Sequence, residues 1–422
     1  MVQKMRKMKD SGIEWIGEIP EGWEIGQIGQ LYSERRTKVS DKDYPPLSVT
    51  MKGILPQLST AAKTDAHDDR KLVCKGDFAI NSRSDRRGSC GISEQDGSIS
   101  LINTVLQPRG EMNPGYYNWL FHTSMFADEF YKWGHGIVDD LWTTGWSDMK
   151  KIGVPVPSKC EQKQLAEHLN VECSHIDSIL SKTRASIEEY KKLKQAIITQ
   201  AVTKGVRGER EMKDSGVEWI GEIPVDWEIS RIKYVSIFEP SCDFRKLTPE
   251  TVITYSPMEC IKNGTFERRT SLYGNLAHTL TPFQNGDIVM AKVTPCFENG
   301  NIAIMNELQS GYGLGSSELF VFRPQNINTR YLFYWLQNKL FVHQACATMT
   351  GTGGLKRISP SFVKNCNIHY PSTAEQAQIA AYLDTKCAEI DGLIAKKEQL
   401  VKELEGYKKS LIYEVVTGKR EV

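Results

Sequence analysis

A thirteen-residue segment occurs twice in this chain. MKDSGIEWIGEIP at Met8–Pro20 returns as MKDSGVEWIGEIP at Met212–Pro224, 204 positions later, and the copies differ only at Ile13 and Val217. The likeness continues through Trp23/Trp227, Glu24/Glu228, Ile25/Ile229 and Ile28/Ile232, so each copy carries an apolar and aromatic stripe. A chain built this way is a duplication, and each half must find equivalent surroundings.

A second repeat pairs PSKCEQKQLAEHLNVECSHIDSIL (Pro157–Leu180) with PSTAEQAQIAAYLDTKCAEIDGLI (Pro371–Ile394), now 214 positions apart. The ten-position difference in offset falls in Glu21–Val156 and Val225–Tyr370, so variable segments alternate with constant ones. The second repeat reads as helix by its period. Leu169, Ile176, Thr183, Tyr190 and Ile197 recur every seven residues, with Cys173, Leu180 and Ile187 between them. In the second copy Leu383, Ile390, Leu404 and Leu411 form one row, broken by Lys397, and Cys387, Ile394 and Val401 form the other. Each run extends about forty residues without Pro, a rod of ~60 Å. The rods end near Gly205 and Gly418, plausible helix stops. Thr417-Gly418-Lys419 is reordered as Thr203-Lys204-Gly205 in the first half, so the two ends are expected to differ.

The order is therefore variable domain (1–157), rod (158–204), variable domain (205–371), rod (372–422). Antiparallel rods would close this order with pseudo-two-fold symmetry and return Val422 to the N-terminal segment. Lys75–Arg83 and Asn285–Val293 each read as a Gly-Asp turn followed by a buried strand. Asn113–Phe121 and Asn328–Leu336 each read as an aromatic helix, followed by G-x-G at Gly134/Gly136 and Gly351/Gly353. The expected fold class is mixed α/β (α+β), with two domains of shared fold.

Composition narrows the function. Lys+Arg 53 against Asp+Glu 52 leaves a formal charge of +1, which excludes a uniformly basic nucleic-acid binder and requires any such surface to be local. No apolar run approaches the ~18 residues of a membrane span, and the basic start has no apolar segment behind it, so a cytoplasmic protein is expected. The ten cysteines include no C-x-x-C pair, so zinc-ribbon spacing is absent and reduced, packed thiols are expected.

The duplication also tests candidate chemistry. Asn113-Pro114-Gly115-Tyr116 could pass for the motif with which amino-methyltransferases hold a target amine, but its counterpart Asn328-Thr329-Arg330-Tyr331 loses the Pro, and a helix start is the better reading. Glu161-Gln162-Lys163 behind Asp148 resembles a loose nuclease pattern, yet Glu375-Gln376-Ala377 drops the Lys. Glu at a positive helix N-terminus explains both copies. His168, Cys173 and His175 correspond to Tyr382, Cys387 and Glu389, so no metal site is expected. Thr350–Gly354 lacks the G-K-[ST] of a phosphate loop and reads as a turn or a loop near DNA phosphates. The polar rod faces, among them Lys182, Glu188, Lys192 and Lys396, suit solvent or a partner equally.

Basic residues gather in the variable domains: Arg35, Arg36, Lys38, Arg83, Arg86 and Arg87 in the first, and Arg245, Lys246, Lys262, Arg268, Arg269, Lys292, Lys356 and Arg357 in the second. Loop clusters of this kind, beside aromatics and amides, suit phosphate anchoring with base-edge readout. They are the candidate DNA-binding residues.

Two variable domains, E-Q-x-x-[IL]-A followed by I-D-x-[IL]-[IL] at the start of each rod, and MKDSG-[IV]-EWIGEIP at the start of each domain make the whole chain resemble the specificity subunit of type I restriction-modification enzymes. The resemblance implies two target recognition domains, each reading half of a bipartite DNA target more than one ~34 Å turn across. It implies that the antiparallel coiled-coil helices set the spacer and dock two modification subunits, which restriction subunits join. It implies a non-catalytic chain without cofactor, S-adenosylmethionine, ATP and Mg2+ belonging to the partners. The alternatives are a catalytic DNA methyltransferase or nuclease chain, and a coiled-coil scaffold without DNA readout.

Overall fold

The computed structural model describes residues 6–57, 68–83, 86–110, 112–136, 142–262, 264–277, 279–351 and 354–422. They form two compact units, Met1–Arg184 with Glu398–Val422, and Ala185–Lys397. The unit boundaries fall inside the long helices, so each helix gives one part to each unit. The helix starts follow the strands Gly153–Val156 and Asn367–Tyr370.

In the first unit the repeated segment is an antiparallel hairpin, Met8–Asp10 with Glu18–Pro20. It buries Trp15, Ile16, Ile19 and Trp23. A four-stranded antiparallel sheet has the spatial order Cys90–Ile92, Phe78–Asn81, Asn103–Pro108, Tyr32–Glu34. The Gly-Asp turn places Gly76 at φ +88°, and Asp77 accepts the Cys74 amide at 2.9 Å. The strand that follows is covered on both faces, which explains its unbroken apolar run. Phe78 and Ile80 enter one core and Ala79 the other.

The second unit repeats this plan. Its hairpin is Met212–Asp214 with Glu222–Pro224. Its sheet has the order Ile302–Ile304, Ile288–Ala291, Leu319–Pro324, Ser236–Phe238. Gly286 sits at φ +87° and Asp287 accepts the Gln284 amide at 2.9 Å. The peripheral sheets differ. The first unit pairs Gly97–Ile99, Arg70–Val73 and Lys38–Val39. The second builds four strands around a parallel pair, Val252–Ser256 with Tyr312–Gly315.

The aromatic helices are Pro114–Phe121 and Thr329–Trp335, each capped by the Asn before it: Asn113 accepts the Tyr116 amide at 3.2 Å and Asn328 the Tyr331 amide at 3.0 Å. The long helices span Lys159–Lys204 (46 residues) and Thr373–Val416 (44 residues). Within each unit the two helical parts run antiparallel. In the first, Lys408 meets Asp177 and Glu405 meets Arg184. In the second, Lys194 meets Asp391 and the Lys397 ammonium lies 5.6 Å from the Tyr190 ring centroid.

Of the expected seam, Leu169, Cys173, Ile176, Leu180, Ile187, Leu383, Cys387, Ile390 and Leu411 are buried, whereas Tyr190, Ile197, Ile394, Val401 and Leu404 are only half-buried. The heptad reading needs one correction. Near the end of the first helix the buried residues are Ile198, Ala201 and Val202, because that end packs on the second unit's core rather than on another helix alone.

The helix ends are also more alike than their sequences suggest. Gly205 (φ +80°) and Gly418 (φ +72°) both end a helix in the left-handed region. A Cβ on Gly205 would lie 3.3 Å from Trp227, and one on Gly418 would lie 2.9 Å from Trp23. The backbone needs a glycine against the repeated Trp, and a one-residue shift in order satisfies it.

Candidate nucleic-acid interface

The E-Q pair at each helix start is structural. Gln162 Oε1 accepts the Asn113 amide at 2.9 Å and its Nε2 donates to the Pro157 carbonyl at 2.9 Å; Gln376 does the same with Asn328 (2.8 Å) and Pro371 (2.8 Å). Each glutamine ties an aromatic helix to a long one. Glu161 closes a capping box with Ser158 and accepts from Trp23 Nε1 and Arg6. Burial works to raise its pKa, but the hydrogen bonds from Ser158, Trp23 and Arg6 outweigh it and hold the carboxyl below the usual range. In the second unit Arg210 takes Glu375 and lies over Trp227.

The other catalytic look-alikes are occupied in the same way. Asn113 spends its side-chain oxygen on the helix cap, and Tyr116 donates its hydroxyl to the Val416 carbonyl at 2.6 Å, as the helix-start reading of this segment expects. Asp148 is held below its usual pKa, first by the hydrogen bond from Lys151. Burial pushes the Cys173 thiol up to about 11, and His175 is exposed. Among the described residues no group of three His, Cys, Asp or Glu is placed to hold a metal ion.

The basic candidates separate by what holds them. Arg35 is tied to Asp77 at 2.6 and 3.2 Å, and that carboxylate is only 3% exposed. Arg323 performs the same task for Asp287 from the neighbouring strand. Arg35 is therefore a partly buried ion pair, 20% exposed. Arg36, by contrast, is 77% exposed and touches Glu34. Lys38 is exposed beside Asp69. Arg83 and Arg86 are exposed, and Arg87 pairs with Asp128 at 3.0 Å while lying over the Tyr131 ring. Tyr32–Glu34 and Phe78–Asn81 are both antiparallel to Asn103–Pro108, so Arg35–Lys38 and Arg83–Arg87 leave the same end of the sheet.

In the second unit Lys292, Lys356 and Arg357 are brought together. Lys292 accepts the Ile358 amide on its carbonyl at 2.9 Å, Lys356 accepts that of Thr294 at 2.9 Å, and Arg357 pairs doubly with Glu318 at 2.8 Å. The Lys292 ammonium lies 5.5 Å from the Phe320 ring centroid. Arg268 reaches Glu307, Arg269 reaches Glu267 and Glu259, and Lys262 is exposed in the hairpin Ile261–Lys262 with Thr265–Phe266, which lies on Ile302–Ile304, the strand paired with Ile288–Ala291. Arg245 folds back on Asp243 and Lys246 is exposed.

A common scaffold emerges at this end of each sheet. Thr143 bridges both Arg83 and His135 in the first unit; Arg357 bridges both Val293 and Thr350 in the second. One backbone arrangement thus displays Arg83, Thr143 and His135 in one copy, and Arg357 and Thr350 beside the buried Val293 in the other. Sequence reasoning missed Thr143 and Glu318, which carry no local signal. It found the glycine loops beside them: Gly134 lies where a Cβ would meet Trp142 Nε1 at 2.2 Å, while Thr352 and Gly353 lie outside the described residues.

Residues 224–403 match the family described as the type I restriction modification DNA specificity domain. Along 95% of this chain and 93% of the relative's, the sequence is 24% identical to the type I restriction enzyme MjaVIII specificity subunit of Methanocaldococcus jannaschii. Residues 224–403 thus carry this family's DNA specificity domain, and the whole chain is similar to type I restriction enzyme specificity subunits. A stretch of 163 residues, 37% of this chain, is 32% identical to the EcoEI specificity subunit of Escherichia coli, of which the chain covers 27%. A chain from a solved structure concerned with complex assembly and conformational transition of the type I R-M system shares the fold, with TM-score 0.72 and 12% identity over 95% of this chain and 99% of that one. No helix of the described residues is long and apolar enough to cross a membrane.

Proposed function

We propose that this chain is the non-catalytic, cytoplasmic DNA-specificity subunit of a type I restriction-modification complex. Each variable domain reads one half of a bipartite double-stranded target, and the long helices set the spacer and dock two modification subunits, which restriction subunits join. S-adenosylmethionine, ATP and Mg2+ act on those partners. The observation that carries this reading is the shared bridge scaffold with exchanged exposed side chains, Thr143 and His135 against Arg357 and Thr350, with Arg83 exposed where its counterpart Val293 is buried. A duplicated frame with different displayed groups is what two half-site readers of different sequence require.

The test is a genome-wide map of methylated adenines in host cells with and without this chain, the modification subunits being expressed throughout. Loss of methylation at one split motif supports the reading and names both half-sites. An unchanged map overturns it.

A further inference from the structure

The two units differ at one packed position. In the first, Tyr413 of the second long helix lies against the repeated hairpin, its hydroxyl donating to the carbonyls of Ile16 (3.1 Å) and Trp15 (3.3 Å). Lys419 completes the seat, its ammonium donating to the Tyr413 hydroxyl at 2.7 Å and lying 4.3 Å from the ring centroid. The counterpart of Tyr413 in the duplicated helix is Thr199, as QAIITQAVT (195–203) aligns with KSLIYEVVT (409–417).

Where the ring would lie, the second unit has an open cleft of about 620 Å³, lined by Thr199, Thr203, Lys204, Ile220, Glu222 and Lys339 among others. Ile220 and Glu222 repeat Ile16 and Glu18. Lys204 also lines the cleft, but it is the counterpart of Gly418, and that of Lys419 is Gly205. Among the described residues no backbone donor reaches the carbonyls of Trp219 and Ile220, the counterparts of those that hold Tyr413.

We propose that this cleft seats a tyrosine side chain supplied by a partner polypeptide. The first unit shows the chemistry that fits: a planar ring with a hydroxyl that donates to two adjacent carbonyls and accepts from an ammonium. A second unit folded from the same repeat retains the hairpin but not the ring, and leaves room for one from outside.

The test uses the full chain with 13C-labelled isoleucine methyl groups and N-acetyl-tyrosinamide as the probe. The Ile220 methyl resonance shifts on titration and that of Ile16 does not. Thr199→Tyr abolishes the Ile220 response, and Tyr413→Thr creates a response at Ile16. The second variant keeps the test decisive should the first not fold. N-acetyl-phenylalaninamide binds at least roughly fivefold more weakly, as expected when the hydrogen bonds of the hydroxyl are lost. An Ile220 resonance that does not move, or that moves equally in Thr199→Tyr, overturns the proposal. So does p-cresol binding more tightly than the tyrosyl probe, which would indicate a small phenol rather than a polypeptide.

Discussion

Lys408 holds Asp177 through both carboxylate oxygens, at 2.6 and 2.7 Å, and Lys194 holds Asp391 in the same way at 2.8 and 2.6 Å. Each lysine lies 214 positions from the other, and so does each aspartate, so one ion pair occurs once per unit. These partly exposed pairs fix the antiparallel register more than they stabilise. Asp177→Asn is expected to cost under ~1 kcal/mol, whereas Asp177→Lys, which opposes Lys408 with a like charge, costs more. Adding Lys408→Asp recovers most of the loss. Urea midpoints of the two single variants and the double variant check this.

The glutamine clamps should matter more. Gln376 is fully buried and satisfies the Asn328 amide and the Pro371 carbonyl. Gln376→Leu leaves both without a partner and is expected to cost ~2–4 kcal/mol. Faster hydrogen exchange at the Asn328 amide accompanies the loss of stability.

The two helix-ending glycines are expected to respond unequally. Each has positive φ, which penalises any Cβ by ~1–2 kcal/mol. A Cβ on Gly418 would also meet the Pro20 ring at 2.5 Å, where the nearest atom to one on Gly205 is the Arg210 guanidinium at 2.9 Å. Arg210 can move and Pro20 cannot. Gly418→Ala therefore lowers the melting temperature further than Gly205→Ala.

Stability should fall on mild acidification because burial lowers the pKa of two histidines, His122 and His369. His369 is fully buried, its Nδ1 accepts from Trp335 Nε1 at 2.9 Å, and desolvation lowers its pKa to about 4. The unfolded chain takes up this proton near pH 6.5 and the folded one does not until about pH 4. The stabilisation is thus full above pH 6.5 and is lost progressively as pH falls from 6.5 to 4, by up to ~3 kcal/mol. His369→Gln can keep an acceptor for Trp335 without titrating. Its urea midpoint changes less across this window than that of the unmodified chain.

Arg35 and Arg36, adjacent in sequence, should separate stability from DNA affinity. Arg35→Ala strands the buried Asp77 carboxylate and is expected to destabilise by ~3 kcal/mol. Arg36→Ala leaves stability nearly unchanged. On the proposed function it weakens DNA binding and reduces the salt dependence by about one released counterion. Denaturation and salt-titrated DNA binding on both variants distinguish the two roles.

The sequence by itself determined the duplication, the order of elements and the two long helices. These properties are local: a period of seven across Leu169–Ile197, a Gly-Asp turn before an apolar run, and an Asn before an aromatic helix each act within a few residues. The tertiary structure decided which side chains are free. Arg35 meets Asp77 across 42 positions and Gln162 meets Asn113 across 49, partnerships set by strand order and helix docking. For the same reason Ile198 replaced Ile197 in the core. The heptad describes a helix facing another helix, and at that end the neighbour is the folded second unit.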